Sequence, residues 1–170
     1  DWENFLLACN MCNSCKKDAD VNLERTHFPH RDNTYMDFIY DESGRVTVNP
    51  ALPKEEYEKA ENLYNLVKMG RDPFGEEATS NRDFRWRTRF QTWNIAKKYL
   101  GKYEAGKSDL DDILELVKGY GHWSIWFTVF KGHDEVRKAL IENTPGTCAA
   151  CFDAGNHYER NLPVKHVLTI

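Results

Sequence analysis

Five cysteines fall in two tight groups: Cys9, Cys12 and Cys15 near the start, Cys148 and Cys151 near the end. The number is odd, and each group holds a C-x-x-C pair. The first residues, Asp-Trp-Glu-Asn, carry no basic leader of the secretory type. Together these features favour free thiols or a bound metal over a disulfide framework, and a cytoplasmic location. The fold must then rest on an ordinary core. With 170 residues, 41% of them hydrophobic and 13% aromatic, the chain suits one domain, or one domain plus a small subdomain. No apolar run is long enough to span a bilayer; the longest, Trp123 to Phe130, is interrupted by Ser124 and Thr128. A net charge of −4 is not that of a protein that coats nucleic acid along its whole surface. Any nucleic-acid contact has to be local, or shared with a partner.

Residues 9–18 suit a turn opening a short helix, and residues 19–34 are polar and irregular. Met36 to Tyr40 and Arg45 to Val48 are β-rich runs around Asp41-Glu-Ser-Gly44, which predicts a hairpin closed off by Pro50 and Pro53. From Lys54 the spacing of Tyr57, Ala60, Leu63 or Tyr64, and Val67 predicts a helix, with Gly70 just past its end. After a loop over 70–81, a long helix is expected from Arg82 to Tyr103 with Asn81 as N-cap and Trp86, Phe90 and Trp93, with Phe84, mostly in the core. Ser108 is the expected cap of the next helix. Asp109, Asp111 and Asp112 lie in its first turn, and Leu110, Ile113, Leu114 and Val117 on its apolar face. Gly119 and Gly121 end it. A short, very apolar helix over His122–Phe130 and another from Asp134 through Ile141 complete the helical part, and the tail from Ala154 shows no periodicity.

The chemistry-bearing window is residues 1–18. Two thiolates two residues apart can clamp one side of a tetrahedral zinc, and need a second pair to close the site. Asn13 follows the second thiol directly, where its amide oxygen suits a hard cation such as Mg²⁺. Asn4 lies nine residues earlier, across the apolar Phe5-Leu6-Leu7. Plain capping and turn formation is the alternative use of both asparagines. Buried, metal-free thiols are the alternative for Cys9 and Cys12.

This window resembles the second half of the HNH motif, a ββα-metal finger. The resemblance extends to Phe-Pro-His-Arg-Asp-Asn-Thr-Tyr at 28–35, to the hairpin, to the Trp123–Phe130 segment and to Pro145-Gly-Thr-Cys-Ala-Ala-Cys-Phe-Asp. These segments are similar to the HNH subunits of ATPase-linked anti-phage systems, the PtuB-like proteins of Septu and their retron-associated relatives. The resemblance implies a metal-dependent endonuclease that hydrolyses DNA or RNA beside an ABC- or SMC-like ATPase partner. It assigns Asn4 to orienting the base histidine, Asn13 to the catalytic Mg²⁺ or Mn²⁺, Cys9 and Cys12 to a structural Zn²⁺ completed by an upstream cysteine pair, and Lys16 to a phosphate. The base histidine and that first cysteine pair precede the matched window and have no counterpart here. The sequence is therefore expected to be a fragment, inactive on its own. Cys15 departs from the pattern, adding a thiol where a small polar residue would serve.

The implied fold is α+β and mostly α: a partial HNH finger and hairpin over 1–50, a helical subdomain over 51–153 and an irregular tail over 154–170. Arg82, Arg85 and Arg89 share one helical face and are the best candidate for phosphate contact, against a solvated or protein-binding face. His27 and His30, with Asp32 and Asp37 nearby, read as a surface loop, with a supporting role for His30 at the active site as the alternative. Cys148 and Cys151 read as a buried turn, or as a second zinc pair. The Trp123–Phe130 helix reads as core, or as an ATPase-docking surface. A rival for the whole chain is a non-catalytic zinc-knuckle module that binds nucleic acid or protein.

Overall fold

The computed structural model describes residues 9–28, 32, 34–73, 83–145, 147 and 149–160, with backbone only at Cys151 and Arg160. These residues form an α+β chain that is mostly helical, with seven α-helices and two small sheets. None of the helices is long and apolar enough to cross a membrane. The chain divides into two compact units. One takes in the described residues of 9–39 and 46–85, the other 40–45 and those of 86–160. The contacts do not divide at residue 50, because the helix from Lys54 packs on the elements before it.

In the first unit α1 runs Asn10–Lys16, α2 Thr34–Asp37 and α3 Lys54–Leu66, with strands β1, Phe38–Tyr40, whose last residue falls to the second unit, and β2, Val46–Val48. β1 and β2 pair as the expected hairpin. Ala60 and Leu63 of α3 are buried, and share the unit's apolar centre with Phe28, Met36, Phe38 and Val46. Tyr64 tilts against Phe38 at 6.3 Å between rings, and its hydroxyl donates to the Val46 carbonyl at 3.0 Å. The helix stops at Leu66 rather than at Gly70, and Lys68 takes the left-handed conformation at φ 50°. Gly70 answers a different need: a Cβ there would collide with the Tyr64 ring.

In the second unit α4 continues from Arg85 to Glu104, followed by α5, Leu110–Tyr120, α6, Trp123–Val129, and α7, Asp134–Asn143. The expected N-cap Asn81 lies outside the described residues. Asp83 does the capping work there, accepting the Arg85 backbone N–H at 3.2 Å. The inward stripe of α4 is Arg89, Thr92 and Ala96, not the aromatic series. Phe90 stacks on Trp86 at 5.8 Å with 40% of its surface exposed, and Phe84 of the first unit is 57% exposed. The stripe is set by the hairpin tip. Arg89 Nε donates to the Gly44 carbonyl at 2.8 Å, and Gly44 sits at φ +81°, where a Cβ would press on the Trp86 carbonyl and the Phe90 backbone at 2.9 Å. Asp109, not Ser108, caps α5 through a reciprocal box with Asp112, and Ser108 donates to the Asp112 carboxylate instead.

Ile113 and Val117 of α5, five residues from Ile125 to Phe130, and Val136, Ala139, Leu140 and Ile141 of α7 form the apolar core. Ile125, Trp126, Phe127, Val129 and Phe130 are thus core, which removes them as a docking surface. Residues 152–160, which include the described start of the segment expected to be an irregular tail, form a second hairpin. β3, Phe152–Asp153, pairs antiparallel with β4, Glu159–Arg160. Buried Arg137 anchors it, donating to the carbonyls of Phe127 and His157 and pairing with Glu159 at 3.0 Å.

Candidate functional site

The candidate site is built on α1. Cys9 is its N-cap, with extended backbone and a sulfur that accepts the Cys12 N–H at 3.3 Å. A cap of this kind satisfies one of the amide donors that every helix start leaves open. The helical step of three then brings Cys12 beside Cys9, and a second such step carries on to Cys15. Cys9 is exposed and all three thiols are free. Asn13 is exposed one turn beyond Cys9, its N–H bonded to the Cys9 carbonyl at 3.0 Å. Lys16 is half-buried in the last turn of α1, one turn beyond Cys12.

The thiols face an arginine that sequence reasoning had given to phosphate. Arg85 Nη1 donates to Cys12 Sγ at 3.3 Å and Nη2 reaches Cys15 Sγ at 3.7 Å. Arg71 Nη1 lies 3.8 Å from the same Cys15 sulfur. Burial pushes the Cys9 thiol up, but the Cys12 backbone and side-chain hydrogen bonds, with the Arg85 charge, outweigh it and hold Cys9 below the ordinary thiol value. Cys12 goes the other way. Burial and its hydrogen bond to Cys9 raise it, against the pull of Arg85. The pair is thus polarised, with the outer sulfur the more readily ionised.

Of the residues assigned from sequence, Cys9, Cys12, Asn13 and Lys16 share this one short helix. Asn4, Arg82, His30 and Cys148 lie outside the described residues, as does the side chain of Cys151. Arg85 and Arg89 do not form an exposed basic face. The Arg85 side chain is only 13% exposed and ion-paired to Asp83 at 2.8 Å. Arg89 is 4% exposed and committed to Gly44. Neither is placed to neutralise a phosphate, because the side chains have found protein acceptors. No family model, curated protein or solved structure matches this chain.

Two thiols on one turn, with a guanidinium beside them, have the chemistry of half a zinc–thiolate site. Among the described residues no third histidine, cysteine or carboxylate joins them at metal-binding distance. The rest of such a site has to come from elsewhere.

Sequence reasoning missed a second cluster. His27, read as part of a surface loop, is 5% exposed. Its Nδ1 faces both oxygens of buried Asp37 at 3.0 and 2.9 Å, and its Nε2 faces Glu56 at 3.1 Å. Burial pushes the imidazole down, but the hydrogen bond and charge of Asp37, with Asp32 and Glu56, raise it above its ordinary value. With carboxylates on both sides the ring is an imidazolium clamp holding the 27 and 37 segments to α3. The signal available was Asp37, ten residues on; Glu56 gave none.

Proposed function

We propose that this chain is the HNH-type, metal-dependent endonuclease subunit of an ATPase-linked antiviral defence system, acting on phosphodiester bonds in DNA or RNA. The observation that supports it is the order of parts on α1. A thiol caps the helix, a second thiol lies beside it, and a solvent-facing asparagine follows at once. In this reading Cys9 and Cys12 supply two ligands of a structural zinc that fixes the start of α1. Asn13 then presents its amide oxygen to the catalytic divalent ion, and Lys16 lies one turn on, on the thiol side of the helix, for a phosphate oxygen. Asn4 orients the base histidine of the motif. The bound divalent ion would supply charge stabilisation to the scissile phosphate and the leaving oxygen.

Arg85 and Arg89, read as phosphate contacts, are engaged inside the protein. In this reading the phosphate contacts are shared with the ATPase. Co-expression of the full-length protein with its ATPase tests this. The expected result is Mg²⁺- or Mn²⁺-dependent cutting of plasmid DNA or of structured RNA, stopped by EDTA. A zinc-loaded complex that binds nucleic acid with no cutting under any divalent ion would favour the rival, a zinc-knuckle binding module.

A further inference from the structure

Arg85 is committed to several partners within the first unit. Its Nε and Nη2 grip the Asp83 carboxylate at 3.0 and 2.8 Å. Its Nη1 and Nη2 also donate to the Val67 and Lys68 carbonyls, just past the end of α3, at 2.8 and 3.0 Å. The same two nitrogens reach Cys12 and Cys15 on α1 at 3.3 and 3.7 Å. Asp83 is itself 7% exposed. Burial raises this carboxylate, but Arg85 and Arg71 more than offset that and hold it below the usual range. One planar cation therefore joins a buried anion, two carbonyls just past a helix end, and two sulfurs.

We propose that Arg85 is a positioning residue for a thiolate metal site on α1. It holds Cys12 in place by an N–H···S bond and offsets the charge of thiolates bound to a thiophilic divalent ion such as Zn²⁺. This rests on the zinc reading of Cys9 and Cys12 given above. The physical need is plain. Thiolate ligands leave a zinc site with excess negative charge in a partly buried place, and a buried charge is tolerated when paired and hydrogen-bonded. Partners that orient metal ligands from behind typically matter by about 10–100-fold in metal affinity. Asp83 and the two carbonyls take four of the guanidinium's N–H groups and fix it so that the remaining one, on Nη1, falls on Cys12 Sγ. A lysine has one nitrogen and cannot serve the carboxylate, the carbonyls and the thiol in one plane.

The test uses the full-length protein and Zn²⁺ alone as the probe. Zinc affinity is measured by competition with a chromophoric chelator, and melting temperature with and without zinc, for wild type, Arg85→Met, Arg85→Lys and Asp83→Asn. Arg85→Met is expected to weaken zinc about 10–100-fold and to shrink the rise in Tm that zinc confers; Arg85→Lys should recover part of the affinity. A residue that merely supports the fold would lower Tm equally with and without zinc and leave the affinity alone. That result overturns the proposal. If Arg85→Met fails to fold, Arg85→Lys and Asp83→Asn decide. Weakened zinc in either folded variant supports the role, and wild-type affinity in both overturns it. A wild-type protein that binds no zinc overturns this proposal and the metal reading together. A zinc-loaded wild type with unaffected variants overturns this proposal alone.

Discussion

The two units bury different things. The first buries His27, Asp37, Asp72 and Asp83 alongside a modest apolar set. The second centres on Trp126, Phe127, Phe130, Ile113, Val136 and Leu140, with Arg89 and Arg137 as buried charges. Both bond to backbone carbonyls, and Arg137 lies over the Phe127 ring at 4.4 Å. In the second unit, stability scales with apolar area and tolerates shape-conserving change. In the first, it depends on each charge keeping its partner, because a buried ion left alone costs more than the pair was worth. Charge matching fixes geometry, which a site built from one short helix needs, and makes the first unit sensitive to pH.

The contrast predicts a ranked set of effects. Trp126→Ala should be the most damaging, costing about 3–5 kcal/mol through lost burial and the cavity left behind. Chemical denaturation with a fluorescence probe measures it; a loss below about 1 kcal/mol would mean the aromatic cluster is not the core.

His27→Ala should cost about 3 kcal/mol by stranding Asp37. Adding Asp37→Asn should return part of that loss, a non-additivity that Trp126→Ala would not show with either. Simple addition of the two costs would remove the clamp from the account.

The pH dependence is a smaller effect. The folded His27 value lies above its ordinary 6.5, so its stabilisation is complete below about pH 6.5 and is lost as pH rises through the raised value. Unfolding followed from pH 6 to 9 should show a slope of at most about 1.4 kcal/mol per pH unit in that window, and His27→Gln should flatten it. A slope that survives His27→Gln assigns the effect elsewhere. At the bottom of the ranking, Phe84→Ala should stay within about 0.5 kcal/mol, since more than half of Phe84 is in solvent.

The elements whose information is local were legible in the sequence. The Asp41–Gly44 turn, the Ala60–Leu63 face, the acidic first turn of α5 and the apolar block of α6 follow from spacing and turn chemistry, and all four are present. What could not be read is long-range. The register of α4 is set by the Gly44 carbonyl accepting from Arg89, so Arg89, Thr92 and Ala96 turn inward while Trp86 and Trp93 are only half-buried and Phe90 is exposed. The β3–β4 hairpin is two residues per strand and is held by Arg137, so no alternation in the sequence announces it. At the site, C-x-x-C-N identified α1, but nothing near Cys12 points to residue 85. Arg85 reads in the sequence as a phosphate contact on a helical face rather than as the clamp on the thiols.

In the proposed site Asn13 would meet the catalytic ion while the thiols beside it hold structure. Asn13→Ala in the full-length protein, copurified with its ATPase, separates these roles in one measurement of divalent-ion-dependent cutting against zinc content. The account predicts that cleavage falls to background while zinc, melting temperature and ATPase binding match the wild type. Cutting at the wild-type rate by the Asn13→Ala protein would contradict it.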